Sequence, residues 1–186
     1  MAPPRPNILR GIVRVSCGRA DGIEQFPATN QSFLASLAPL IAFPLVGATM
    51  LLVQGYGARA LLDLLATVSI VLVQPVLSFE LSRLWAREAR WLRFATALNW
   101  CQWSVPVLAC MLIVAVGLLS EAGVSDDVSA LAFALGLGGY GLWLHWFLAR
   151  HGLELSRVRA IILALTVNVA AVLLLLALRL PAWPST

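Results

Sequence analysis

Five blocks of largely apolar residues alternate along this chain with short segments that hold most of its charge. They run from Phe33 to Val53, Ala60 to Phe79, Ala95 to Leu119, Val128 to Leu148 and Ala160 to Leu180. About twenty residues at 1.5 Å each cross the roughly 30 Å hydrocarbon core of a bilayer. The pattern therefore predicts an all-α polytopic membrane protein with five transmembrane helices. Residues 1–32 form a segment ahead of the first span, 33–180 the transmembrane domain, and 181–186 a short tail. Ahead of the spans, MAPPRP reads as disordered, whereas Ile8, Leu9, Ile12 and Val13 interleave with Arg10 and Arg14 as in a short helix lying in the membrane interface. Between the second and third spans, FELSRLWAREARWLRF reads as a helical extension along the headgroups, with its Trp and Arg side chains as anchors.

The arginines give this topology a direction. Arg5, Arg10, Arg14 and Arg19 precede the first span, Arg83, Arg87, Arg90 and Arg93 separate the second from the third, and Arg150, Arg157 and Arg159 separate the fourth from the fifth. All three segments share one side of the membrane. The other side receives Arg59, Arg179 and the acidic loop SEAGVSDD. The positive-inside rule then puts the amino terminus in the cytoplasm and the carboxyl terminus outside. Asp63, near the outer end of the second span, is expected to cap its helix or pair with Arg59.

Composition agrees: 60% of the 186 residues are hydrophobic, 12% are charged and the mean hydropathy is +0.87. A water-soluble domain of this size has no interior large enough for that apolar share. The sequence pI of about 9.6 raises the possibility of nucleic acid. Its arginines are instead spread over juxtamembrane segments, where anionic headgroups account for them, so membrane lipids are the expected partners and nucleic acid is not.

Within the fourth span, LGLGGYG places Gly136, Gly138 and Gly141 at the spacing of a dinucleotide-binding turn. No strand precedes these glycines and no suitably placed acidic residue follows them, so no nucleotide is expected. On a helix, Gly136 and Gly139 share one face with Ala132, while Gly138 and Gly141 share nearly the opposite face with Ala134. Small residues on two faces predict close packing of neighbouring helices, within the chain, in a homo-oligomer or with a partner membrane protein.

Catalytic signatures are sparse. There is no G-x-S-x-G, H-E-x-x-H, Walker loop or C-x-x-C, and Cys101 and Cys110 are too far apart on one helix to pair. His145 and His151 lie on the same helix, which disfavours haem held by two histidines of one chain. The sequence thus leans away from an enzyme and predicts no cofactor and no metal. What it does contain is polar residues gathered in the arginine-proximal half of the spans: Gln74, Glu80, Asn99, Gln102, His145 and Asn168. Pro75 and Pro106 release backbone carbonyls in the same region. Such residues form either hydrogen-bonded glue between helices, His145 as a neutral ring among them, or one recess for a lipid headgroup, a quinone or a partner side chain.

The stretches RGIVRVSCGRADGIEQF, RFATALNWCQWSVPVL and GYGLWLHWFLARHGLELS resemble a group of short polytopic inner-membrane proteins of alphaproteobacteria. Asn99, Trp100, Tyr140, Trp143 and Arg150 carry the likeness, and the chain is remotely similar to the Yip family of five-span membrane proteins. The resemblance implies a multi-pass protein of the bacterial inner (plasma) membrane. The remoter one implies partner binding and membrane organisation without catalysis. The leading expectation is a non-enzymatic accessory or scaffold subunit of a membrane assembly. The alternative is a small transporter or a lipid- or quinone-binding protein using the recess.

Overall fold

The computed structural model describes residues 6–179. The MAPPR stretch, the tail at 181–186 and the side chain of Arg59 lie outside the described residues. The chain forms α1 (Ile8–Ser16), a 3-10 turn (Ala20–Gln25), α2 (Asn30–Val53), α3 (Gly57–Leu84), α4 (Glu88–Cys101), α5 (Ser104–Glu121), α6 (Asp126–Gly152) and α7 (Arg157–Arg179). Among the described residues there is no strand.

Five segments are long and apolar enough to cross a membrane: Asn30–Val53, Ala60–Leu84, Glu88–Glu121, Asp126–Gly152 and Arg157–Leu178. The chain is an all-α, multi-pass membrane protein. Its helix ends follow local chemistry. Side-chain oxygens of Asn7 and Thr29 accept from the backbone N–H groups of Arg10 and Ser32, capping α1 and α2. Past the end of α2, Gly55 takes a positive φ of 89° while Tyr56 N–H reaches back to the Leu51 carbonyl, a closure that lets the chain reverse within a few residues.

The third span departs from the single helix expected over Ala95–Leu119. It comprises α4 and α5, joined through Gln102 and Trp103. Pro106 has no N–H to offer the Gln102 carbonyl, which accepts instead from Val105 N–H at 3.0 Å, while Trp103 N–H bonds to the Trp100 carbonyl at 3.2 Å. These three-residue bonds tighten the chain locally. Proline then sits in the first turn of α5, where its missing donor costs little.

Burial is concentrated at the arginine-rich end. Phe94 and Leu98 of α4, Leu144 and Leu148 of α6, and Leu163 and Val167 of α7 form one apolar cluster with Val15 of α1 and Phe26. By contrast α5, which carries the span to its other end, has no buried residue. The amino-terminal segment is thus part of the core. α1 turns Gly11 and Val15 inward and leaves Leu9 and Val13 exposed, so only part of its apolar set is free to meet lipid. Its contact with the 3-10 turn is close: a Cβ on Gly22 would stand 2.7 Å from Arg14 Cβ, and one on Gly11 would stand 2.8 Å from the Phe26 ring.

The segment between the second and third spans is helical up to Leu84, then reverses and starts α4 at Glu88. Trp91, expected as a headgroup anchor, turns inward. It donates to Ser78 of α3 at 3.1 Å and packs between Phe33 and Phe79, with ring centroids 5.1 and 5.0 Å away. An indole on the inner face of α4 lies over the buried Ser78 hydroxyl, and that bond satisfies both groups.

Candidate functional site

Four of the six polar residues singled out from the sequence line one cavity. Gln74 comes from α3, Gln102 from the break between α4 and α5, His145 from α6 and Asn168 from α7, and Leu40 of α2 completes the wall. All five spans therefore contribute to a partly open cavity of about 370 Å³ whose lining is mainly apolar. Gln74, Gln102 and Asn168 each lie nine residues from an arginine at the charged end, Arg83, Arg93 and Arg159 respectively. At 1.5 Å per residue their common depth is roughly 13 Å.

Two hydrogen bonds knit the polar wall together. Gln102 Nε2 donates to Gln74 Oε1, joining the helix break to α3. Asn168 Nδ2 donates to the Ala164 carbonyl at 2.7 Å and lies 3.2 Å from His145 Nδ1. In the tautomer whose Nδ1 accepts from this amide, the imidazole hydrogen sits on Nε2. His145 is only 6% exposed, and its Nε2 has no hydrogen-bond partner. Trp103, also lining the cavity, has a buried Nε1–H in the same condition. A buried unpaired donor costs about 1–3 kcal/mol. Both residues line the same cavity.

The remaining two residues lie elsewhere. Asn99 is buried and donates to Ser36 of α2 at 2.9 Å, while the Ser36 hydroxyl passes its hydrogen to the Phe33 carbonyl at 2.6 Å. Asn99 is interhelical glue. Glu80 is exposed beyond the cavity, 3.7 Å from Arg83 on its own helix. Sequence reasoning missed Trp103, which the Trp-rich run NWCQWS concealed among interfacial indoles. The signal was its place beside Gln102, three residues before Pro106, where the helix had to loosen.

The glycines of α6 behave differently from the packing expected of them. Of Gly136, Gly138, Gly139 and Gly141, only Gly136 approaches another helix within the chain, since a Cβ there would meet Leu112 of α5 at 3.2 Å. At Gly138, Gly139 and Gly141 an added Cβ would have nothing within 4 Å. Gly138 and Gly139 are exposed, and Gly141 borders the cavity. The helix contacts on that side of α6 are set further along by larger residues and by Gly152, whose Cβ position is 3.5 Å from Phe94.

No protein-family model, curated protein or solved structure matches the chain. Its class rests on fold and site: a multi-pass α-helical membrane protein with a polar-walled cavity where its spans converge. Among the described residues no group of three or more His, Cys, Asp or Glu is placed to hold a metal ion.

Proposed function

We propose that this chain binds an amphipathic small molecule of the quinone or lipid class within the bilayer. The observation that carries the reading is the pair of buried, unpartnered donors, Trp103 Nε1–H and His145 Nε2–H, beside one mainly apolar cavity. A carbonyl oxygen is the complementary group, and the apolar lining suits a ring or chain attached to it. The membrane is a bacterial plasma membrane, and the arginine-rich end faces the cytoplasm, a reading supported by the distribution of basic residues.

The experiment is ligand binding in mild detergent. Protein extracted without added ligand is analysed for retained quinone or lipid, and its melting temperature is measured with and without a short-chain ubiquinone. The wild-type protein should be stabilised by the probe. Trp103→Phe keeps a ring and removes the donor, so it should weaken binding about three- to tenfold, the worth of one hydrogen bond. Equal affinity in the two proteins, or no stabilisation of the wild type, would sink the reading.

A second reading, an accessory subunit of a membrane assembly, is favoured by one observation. The end of the molecule away from the arginines leaves large faces uncovered, with Met111, Val114 and Leu118 of α5 and Leu131 and Leu135 of α6 exposed.

A further inference from the structure

At the arginine-rich end a second, larger cleft of about 710 Å³ lies between the amino-terminal segment, α4 and the end of α6. It is separate in its residues from the cavity among the spans. α4 and α6 contribute Arg93 and Arg150, and the amino-terminal segment contributes Glu24. None of these three has an ion-pair partner among the described residues. Arg150 spends one N–H on the Leu155 carbonyl at 2.6 Å, which leaves the rest of its guanidinium free. The cleft lining also holds Asp21, Arg90 and Glu154, which are paired: Asp21 with Arg14 and Arg19, and Glu154 with Arg87 and Arg90.

The corner bearing Arg150 is held in place. Glu154 adopts a left-handed φ of 51°, which a side chain rarely takes, and Arg87 of the α3–α4 connection and Arg90 of α4 pair with its carboxylate. Leu153 and Leu155 on either side are fully buried or nearly so, at 0% and 1% exposed. The cleft thus holds two guanidinium groups, from α4 and α6, and one carboxylate, Glu24, that have no ion-pair partner among the described residues.

From this arrangement we infer that the cleft binds a zwitterionic phosphoethanolamine group. Its phosphate engages Arg93 and Arg150, and its primary ammonium donates to Glu24. Guanidinium groups suit phosphate oxygens, and a carboxylate suits an N–H-bearing cation. Phosphocholine is a poorer fit. Its quaternary nitrogen has no N–H to give Glu24 and favours aromatic faces. The cleft lining contains no Trp, Tyr or Phe.

Native mass spectrometry of the full chain, with phosphatidylethanolamine, phosphatidylglycerol and phosphatidylcholine of identical acyl chains, tests the assignment. The wild type should retain phosphatidylethanolamine about three- to fivefold over either competitor, the scale of one exposed ion pair. Glu24→Gln should erase the preference over phosphatidylglycerol, and Arg93→Gln should lower retention of all three lipids. Both positions are exposed, so these variants should keep the fold. Soluble glycerophosphoethanolamine at millimolar concentration separates the two sources of the group: displacement of the lipid shows that the zwitterion alone is bound, and persistence of the lipid preference assigns the site to the membrane phospholipid. Equal retention of the three lipids by the wild type, or unchanged preference in both variants, overturns the inference.

Discussion

At Ala86 the chain leaves α3 through a conformation that disfavours a side chain, with φ of 55°. Ala86 N–H bonds to the Arg83 carbonyl at 3.0 Å and Arg87 N–H to the Ser82 carbonyl at 2.7 Å, the paired closure that glycine normally provides. Ala86→Gly should therefore raise stability by up to about 1 kcal/mol, after the added freedom of the unfolded chain is set against the relieved strain. Chemical denaturation in detergent measures it, and a loss of stability would show that the alanine methyl has a packing role. Single residues also mark how far the sequence could be read. Gln74, Gln102, His145 and Asn168 were legible as a group because a polar side chain in a span is costly enough to need a reason. The fate of Asn99 was not legible. Its partner Ser36 lies 63 residues away, and one sequence does not say which face of α4 meets α2.

Among the elements, the five spans were readable from run length alone, because the bilayer imposes a minimum length on each. The division of the third span into α4 and α5 was only half visible: Pro106 announced a lost hydrogen bond, while the three-residue bonds that compensate depend on local geometry. The amino-terminal segment was the larger surprise. Amphipathic spacing describes a helix with one apolar face, and it says nothing of whether protein or lipid meets that face. Here the protein covers much of it, and Phe26, next to the 3-10 turn, is fully buried. Phe26→Ala should cost about 3–5 kcal/mol, as for other large core side chains, whereas Phe43→Ala, at a position 63% exposed, should cost far less. Comparable losses in thermal or denaturant unfolding would mean that the segment does not dock as described.

For the whole molecule, orientation sets which aqueous compartment borders the phosphoethanolamine cleft. With the arginine-rich end in the cytoplasm, a reporter active only outside the plasma membrane should be active when fused after Val124 and inactive when fused near Ala86 or Leu155. Val124 sits in the connection between α5 and α6, while Ala86 and Leu155 sit in connections at the opposite end, so the three fusions sample both sides of the same spans. The reverse pattern would invert the proposed topology. Packing within the molecule and topology across the membrane are separate matters. The structure relates each helix to its neighbours, and the arginines carry the only directional signal in the chain.

Phe26 and Val15 are made early, yet their cluster includes Leu148 of α6 and Leu163 of α7, more than a hundred residues later in the chain. At translation rates of about 5–20 residues per second, their docking site is incomplete for roughly 7–30 s after they are synthesised. During biogenesis the amino-terminal segment must therefore wait at the membrane surface until the last two spans have arrived. A ribosome stalled before α6 would display that segment undocked, open to proteases that do not cut the finished protein.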